Sequence, residues 1–347
     1  MKRILTLDGG GIRGVFTLQI LARLEELLRK EQNKPDLVLA DVFHLIAGTS
    51  TGAIIAAFLS WGLPVRSVEE LYITRSNEMF AHEPWYRRWK AKYRSEAIAD
   101  FFREVFSETP GGKVPAMLGT KNLKTLLLII MRNASTGSPW PVSNNPHAMF
   151  NDPTLPDCNL NIPLWQLLRG STAAPSYFPP EEIDLAGKKY LFIDGGMTPF
   201  NNPALIAVLM ATLPPYKINW PATRESLHLT SIGTGFARAH LPLKRAAEIN
   251  MLDQIKYLAP AFIGSVSVEQ DVLCRVMGDC LHGPSIDLEL GSLITPTLLD
   301  RSQQKFTYVR YDQPFELTGA DLKLKLSMEL DNLKLIPYLQ KAGKEYA

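Results

Sequence analysis

The sequence predicts an α/β protein built on a mainly parallel central sheet. Three observations lead there. Short apolar runs alternate with longer amphipathic stretches, as strand–helix–strand units require. Most of these runs stop at a glycine-bearing segment. The chain has 347 residues, 46% of them apolar and 21% charged, which suits a soluble protein with a large core. That composition excludes a disordered chain, a collagen or a disulfide scaffold.

Ile4–Leu7 is an apolar run ending at Asp8 and a glycine cluster, the pattern of a central strand. Leu18, Leu21, Leu24 and Leu28 then recur at helical spacing, with Arg23, Glu25, Glu26 and Arg29 on the other faces. Phe43–Ala47 predicts the next strand and Ala53–Trp61 the next helix. From Phe43 to Val65 there is no Asp, Glu, Lys or Arg, a span long enough to cross a bilayer. Glycines and hydroxyls at Gly48–Gly52 interrupt it, so a buried strand followed by a buried helix fits better. Ser67-Val68-Glu69-Glu70 has the form of a capping box opening a further helix. Leu126–Met131, Tyr190–Ile193 and Leu227–Ile232 predict more strands. Pro139–Pro156 reads as a long loop and Leu322–Leu339 as a terminal helix. Past about residue 237 the pattern weakens.

Lys and Arg number 37 against 35 Asp and Glu, so no global charge draws the chain to nucleic acid, and none is expected as a partner. Cys158, Cys274 and Cys280 are too few and scattered for a disulfide framework and read as reduced thiols. No zinc or calcium spacing occurs, so no metal and no cofactor is expected. Asp8 follows Lys2 and Arg3 too closely for a secretory leader, so a cytoplasmic location is expected, with peripheral membrane contact.

Three motifs would sit at strand ends, where such sheets bind ligands. Asp8-Gly9-Gly10-Gly11-Ile12-Arg13-Gly14 joins a strand to a helix, and its backbone N–H groups with the helix end behind them make an anion site. Gly48-Thr49-Ser50-Thr51-Gly52 matches G-x-S-x-G between an apolar strand and an apolar helix, the setting of a nucleophile elbow. The elbow would expose the Ser50 hydroxyl, with Gly48 and Gly52 relieving its crowding. The Thr51 N–H would face the oxygen of an attacked carbonyl, with Gly10 or Gly11 as its partner. Asp194-Gly195-Gly196 ends another strand and offers the base a serine nucleophile needs, provided that the site desolvates the carboxylate.

Together these motifs resemble the patatin-like phospholipase family. Further stretches are similar to it: Ser171-Thr172-Ala173-Ala174-Pro175-Ser176-Tyr177-Phe178-Pro179-Pro180, Asn201-Asn202-Pro203 after Asp194-Gly195-Gly196, and Ser231-Ile232-Gly233-Thr234-Gly235. The resemblance spans residues 3–236, about two-thirds of the chain, and leaves 237–347 as an extension packed on the same domain, without an assigned function. It implies a three-layer α/β/α sandwich and a lipid acyl hydrolase of phospholipase A or lysophospholipase type. Carried over, Ser50 is the nucleophile, Asp194 the base and Gly9–Gly11 the oxyanion hole. Arg13 would favour negative charge beside that loop, and Gly195 and Gly196 would support Asp194. The substrate would be a phospholipid or other acyl lipid. Where members often carry an Asp after the Phe of the elbow strand, this chain has His44, read as a core histidine.

Rival readings explain less. Gly9, Gly11 and Gly14 with Asp36 formally satisfy a dinucleotide fingerprint, but the elbow and Asp194-Gly195-Gly196 are then idle. A Ser-His-Asp triad would need His228, His240 or His282, and none has a motif around it. An idle storage protein, an acyltransferase, or an effector phospholipase switched on by a nucleotide second messenger are alternatives on the same scaffold. Trp85, Arg87, Arg88, Trp89 and Lys90, within a ten-residue run of five basic and four aromatic side chains, form the candidate membrane contact.

Overall fold

The computed structural model describes residues 1–76, 95–109, 111–236, 251–286, 291, 301–315 and 331–347. The candidate membrane contact at Trp85, Arg87, Arg88, Trp89 and Lys90 lies outside the described residues, as does His240. The strands are β1 (Lys2–Leu7), β2 (Leu45–Thr49), β3 (Leu126–Asn133), β4 (Ser138–Ser143), β5 (Glu181–Leu185), β6 (Lys188–Asp194), β7 (Leu227–Ile232), β8 (Asp279–His282) and β9 (Thr307–Tyr311). They form one sheet in the order β5-β6-β3-β2-β1-β7-β9-β8, with β4 also paired to β3. The run from β3 through β2, β1, β7 and β9 to β8 is parallel.

The helices are α1 (Gly14–Gln32), α2 (Thr51–Ser60), α3 (Val65–Thr74), α4 (Ser95–Val105), α5 (Leu164–Ser171), α6 (Ala204–Thr212), α7 (Met251–Met277) and α8 (Ile336–Tyr346). Because side chains alternate along a strand, the apolar runs feed two cores. Leu5, Leu7, Ile46, Leu127 and Ile129 pack with Phe16 of α1 and Phe58 of α2. Ile4, Leu45, Ala47, Leu128 and Ile130 pack with Ala204, Ala207 and Ala211 of α6 and Cys274 of α7. Three layers result, as expected for central strands buried on both faces. The three cysteines are free thiols, with Cys158 and Cys274 buried.

Residues beyond 236 join the same sheet. β9 lies parallel to β7, and α8 returns to α1 and α3, with the Phe16 and Tyr346 rings 5.7 Å apart and Gln340 Nε2 donating to Glu69 Oε1 at 2.9 Å.

Four expectations need correction. Ser67 does not open α3: the helix begins at Val65 behind Pro64. The cap comes from α1, where both Glu25 carboxylate oxygens accept from Val65 N at 3.2 and 3.3 Å. Pro139–Pro156 is not all loop, because β4 occupies its start as an antiparallel partner of β3. Pro139 and Pro141 are two residues apart, so their ring nitrogens point the same way, toward the edge where no ladder bond is lost. The terminal helix spans Ile336–Tyr346 rather than 322–339, of which 322–330 lie outside the described residues. His44 is half-buried at the foot of β2, its Nδ1 accepting from Arg3 N at 3.2 Å.

Burial fixes where stability resides. Leu5 is fully buried in β1, whereas Leu191 on β6 is 44% exposed. Leu5→Ala is expected to cost about 2–5 kcal/mol in urea unfolding, and Leu191→Ala about 0.5 kcal/mol or less.

Candidate active site

The register of β3 brings the site together. Met131 pairs with Trp140 of β4 and also with Asp194 of β6, so β4 and β6 lie on opposite edges of β3. Leu128 pairs with Ser143 of β4 and with Ala47 of β2, so β2 shares the β6 edge. β2 climbs that edge parallel to β3 and ends at Thr49, opposite Ile130. β6 descends the same edge antiparallel and ends at Asp194, opposite Met131. The two strands therefore meet carboxyl end to carboxyl end. The sequence located Asp194 at a strand end but not that this strand runs against its neighbours. The reversal is made by the β5–β6 hairpin, whose turn residues Ala186 and Gly187 both have positive φ, at 54° and 82°.

Ser50 follows Thr49 with φ 53° and ψ −121°, a strained backbone for a residue with a side chain. The flanking glycines make the elbow sterically accessible. A Cβ on Gly48 would stand 2.1 Å from Gly52 O, and one on Gly52 would stand 2.2 Å from Leu7 O. The Ser50 amide donates to Ser171 Oγ at 2.9 Å, and that hydroxyl donates to Ile130 O at 2.7 Å. Thr49 Oγ1 donates to Phe200 O at 2.6 Å. These bonds hold the strain in place.

Ser50 Oγ donates to Asp194 Oδ2 at 2.6 Å, and Gly196 N donates to Asp194 Oδ1 at 2.7 Å. Among the described residues, both carboxylate oxygens are engaged without a histidine. His228 pairs with Arg3 at the opposite end of the sheet, and the His282 ring lies tilted against Tyr311 at 5.0 Å. Burial raises the Asp194 carboxyl from 3.8 to about 6, although the Ser50 and Gly196 donors pull it down. It is thus ionised at neutral pH yet a stronger base than a surface carboxylate.

The glycine loop lies beside Ser50. Gly9 N donates to Asn201 O at 3.1 Å, so its amide is already engaged, which narrows the expected donor set. Among the described residues no acceptor occupies the N–H groups of Gly10, Gly11 or Thr51. Hydroxyls of Thr51 and Tyr72 donate to Gly11 O at 2.9 and 2.8 Å and fix the loop's orientation. Arg13 makes no ion pair among the described residues, and its Nε is buried without a partner. Asp8 and Asp312 act on it through space. Ser171 and Asn201 stood in recognisable stretches of sequence, but nothing local revealed that one anchors the elbow and the other the loop.

An α/β sheet whose elbow serine meets an aspartate defines a class of Ser–Asp proteins. A family model described as patatin-like phospholipase matches residues 5–208. The chain belongs to that family. It is 30% identical over 240 residues to a cGAMP-activated phospholipase of Escherichia coli (strain TW11681), covering 67% of this chain and 62% of that protein. It is 30% identical over 256 residues to Patatin-like protein 4 of Arabidopsis thaliana, covering 68% and 60%. The chain thus spans about three-fifths of the length of these curated relatives. The solved structure of VipD from Legionella pneumophila aligns with 99% of this chain and 67% of that one, at 13% identity and a TM-score of 0.39.

Because the folded state holds the Asp194 proton more tightly than the unfolded chain does, folding loses stability as pH rises from about 3.8 through about 6. Asp194→Asn keeps an acceptor for Gly196 N and removes that cost. It is expected to be more stable than wild type by about 1–3 kcal/mol at pH 8, with the gap closing below about pH 4 in denaturant titrations.

Proposed function

We propose that this protein is a lipid acyl hydrolase that cleaves fatty-acyl esters of membrane lipids through Ser50 and Asp194. The observation that carries the reading is the 2.6 Å hydrogen bond from Ser50 Oγ to a buried, basic carboxylate, beside backbone amides of Gly10, Gly11 and Thr51 that no acceptor among the described residues occupies. Asp194 accepts the Ser50 proton as Oγ attacks the ester carbonyl carbon. The N–H groups of Thr51 and of Gly10 or Gly11 donate to the oxygen that becomes negative, and the N-terminus of α2 adds partial positive charge. The leaving alcohol takes the proton from Asp194, and Ser50 holds the acyl group. Asp194 then deprotonates a water that releases the fatty acid and restores Ser50.

The catalytic unit is proposed to span residues 3–236, with 237–347 as an extension on the same domain. The pairing of β9 with β7 and the return of α8 to α1 support this. Among the described residues no helix is long and apolar enough to cross a membrane. Contact with a lipid surface is therefore proposed as peripheral, through the basic and aromatic run around Trp85 and Lys90. A second reading adds regulation. The Escherichia coli relative is named for activation by cGAMP, and this supports the same hydrolysis being switched by a bound nucleotide.

Hydrolysis of mixed phospholipids, followed by mass spectrometry, is expected to fall at least about 1,000-fold in Ser50→Ala and in Asp194→Asn. Folded variants with wild-type turnover would contradict the reading. For wild type, kcat/KM is expected to rise with pH through about 6 as Asp194 ionises, and then to level off. A further rate increase on adding cGAMP would support the regulated form.

A further inference from the structure

We infer that Arg310, supplied by β9 outside the residues the family model covers, is the positioning residue of the glycine loop. The inference rests on the acyl-hydrolase reading of Ser50. Arg310 pairs with Ser231 of β7, and Ser231 pairs with Thr6 of β1, so its side chain crosses one strand to reach the end of β1. There it grips Asp8 with two nitrogens. Nη1 donates to Asp8 Oδ1 at 2.8 Å and Nη2 donates to Asp8 Oδ2 at 2.6 Å. The same guanidinium donates to Ser231 Oγ and to Asp312 Oδ2, each at 2.7 Å. Arg310 is 3% exposed, and both carboxylates are buried with it.

Two consequences reach the amides beside Ser50. The first is geometric. Asp8 immediately precedes Gly9, its own amide is tied to Ile232 O at 3.1 Å, and the Arg310 fork fixes its side chain. Asp312 carries the network on, accepting from Gly235 N at 2.9 Å. Next to Gly235, Thr234 Oγ1 lies 3.4 Å from Gly9 O. The loop is thus held from both sides. The second is electrostatic. Asp8, next to Gly9, and Asp312 would otherwise be two unpaired buried carboxylates behind a loop beside which a negative oxygen must form. The Arg310 guanidinium offsets one of these two charges, and its planar fork does so with a fixed geometry that a lysine cannot reproduce.

The test compares wild type with Arg310→Lys, Asp8→Asn and Tyr308→Phe. Tyr308 lies on the same strand but donates to Asp271 Oδ1 at 2.9 Å, so it controls for loss of stability alone. The readouts are the thermal midpoint, kcat and KM on a soluble p-nitrophenyl ester, and the rate at which a fluorophosphonate labels Ser50. Arg310→Lys is expected to lower kcat about 30–300-fold, with KM within about threefold and labelling falling in step. Tyr308→Phe is expected to keep kcat at whatever midpoint it shows. A folded Arg310→Lys with wild-type kcat, or one whose loss matches only its unfolded fraction, overturns the inference. If Arg310→Lys does not fold, Asp8→Asn decides: a kcat loss at unchanged KM supports the positioning role, and full kcat overturns it. A wild type that neither hydrolyses the ester nor labels at Ser50, with or without added cGAMP, overturns both readings, and is distinguishable because the failure precedes any substitution.

Discussion

Along one edge of β3, β2 arrives from below and stops at Thr49, while β6 arrives from above and stops at Asp194. The hydrogen bond between Ser50 and Asp194 exists because these two ends meet. Everything else at the site keeps that encounter in place. Ser171 ties the elbow to β3, Phe200 O receives Thr49, and Asn201 holds Gly9. A serine and a carboxylate 144 positions apart are thereby presented to each other with no side chain between them.

In the proposed reaction, the same arrangement is what lets an aspartate serve where a histidine is commonly used. A solvated carboxylate is too weak a base for a serine hydroxyl. Burial at the strand junction raises Asp194, and the surrounding donors stop short of cancelling that rise. This costs the fold stability, as does the backbone strain at Ser50, and the packed strands on either side of the elbow offset both. The site is thus a place where stability has been given up for basicity and exposure of a hydroxyl.

Much of this was legible in the chain. The parallel strands announce themselves because burial on both faces demands unbroken apolar runs, as in Ile4–Leu7 and Leu126–Met131. The elbow was legible because Gly48 and Gly52 answer a local steric demand. What stayed hidden depends on distant partners. β4 carries two prolines and resembles a loop until β3 is seen to offer it an edge. The start of α3 is set by Glu25 of another helix, so the nearby Ser67 misleads. The direction of β6 is decided by a hairpin whose first turn residue, Ala186, gives no glycine or asparagine signal. Arg310 reaches Asp8 across 302 positions, beyond any local pattern.

The carboxyl group of Asp194 can be followed directly. In protein carrying 13C-labelled aspartate, the carboxyl resonance that disappears in Asp194→Asn belongs to this residue. A midpoint near 6 for that resonance, moving when Ser50 is replaced by alanine, is the behaviour of a buried carboxylate hydrogen-bonded to Ser50, as the proposed base and nucleophile require. A midpoint at or below the ordinary 3.8, indifferent to Ser50, would show a solvated or ion-paired carboxylate and contradict the account.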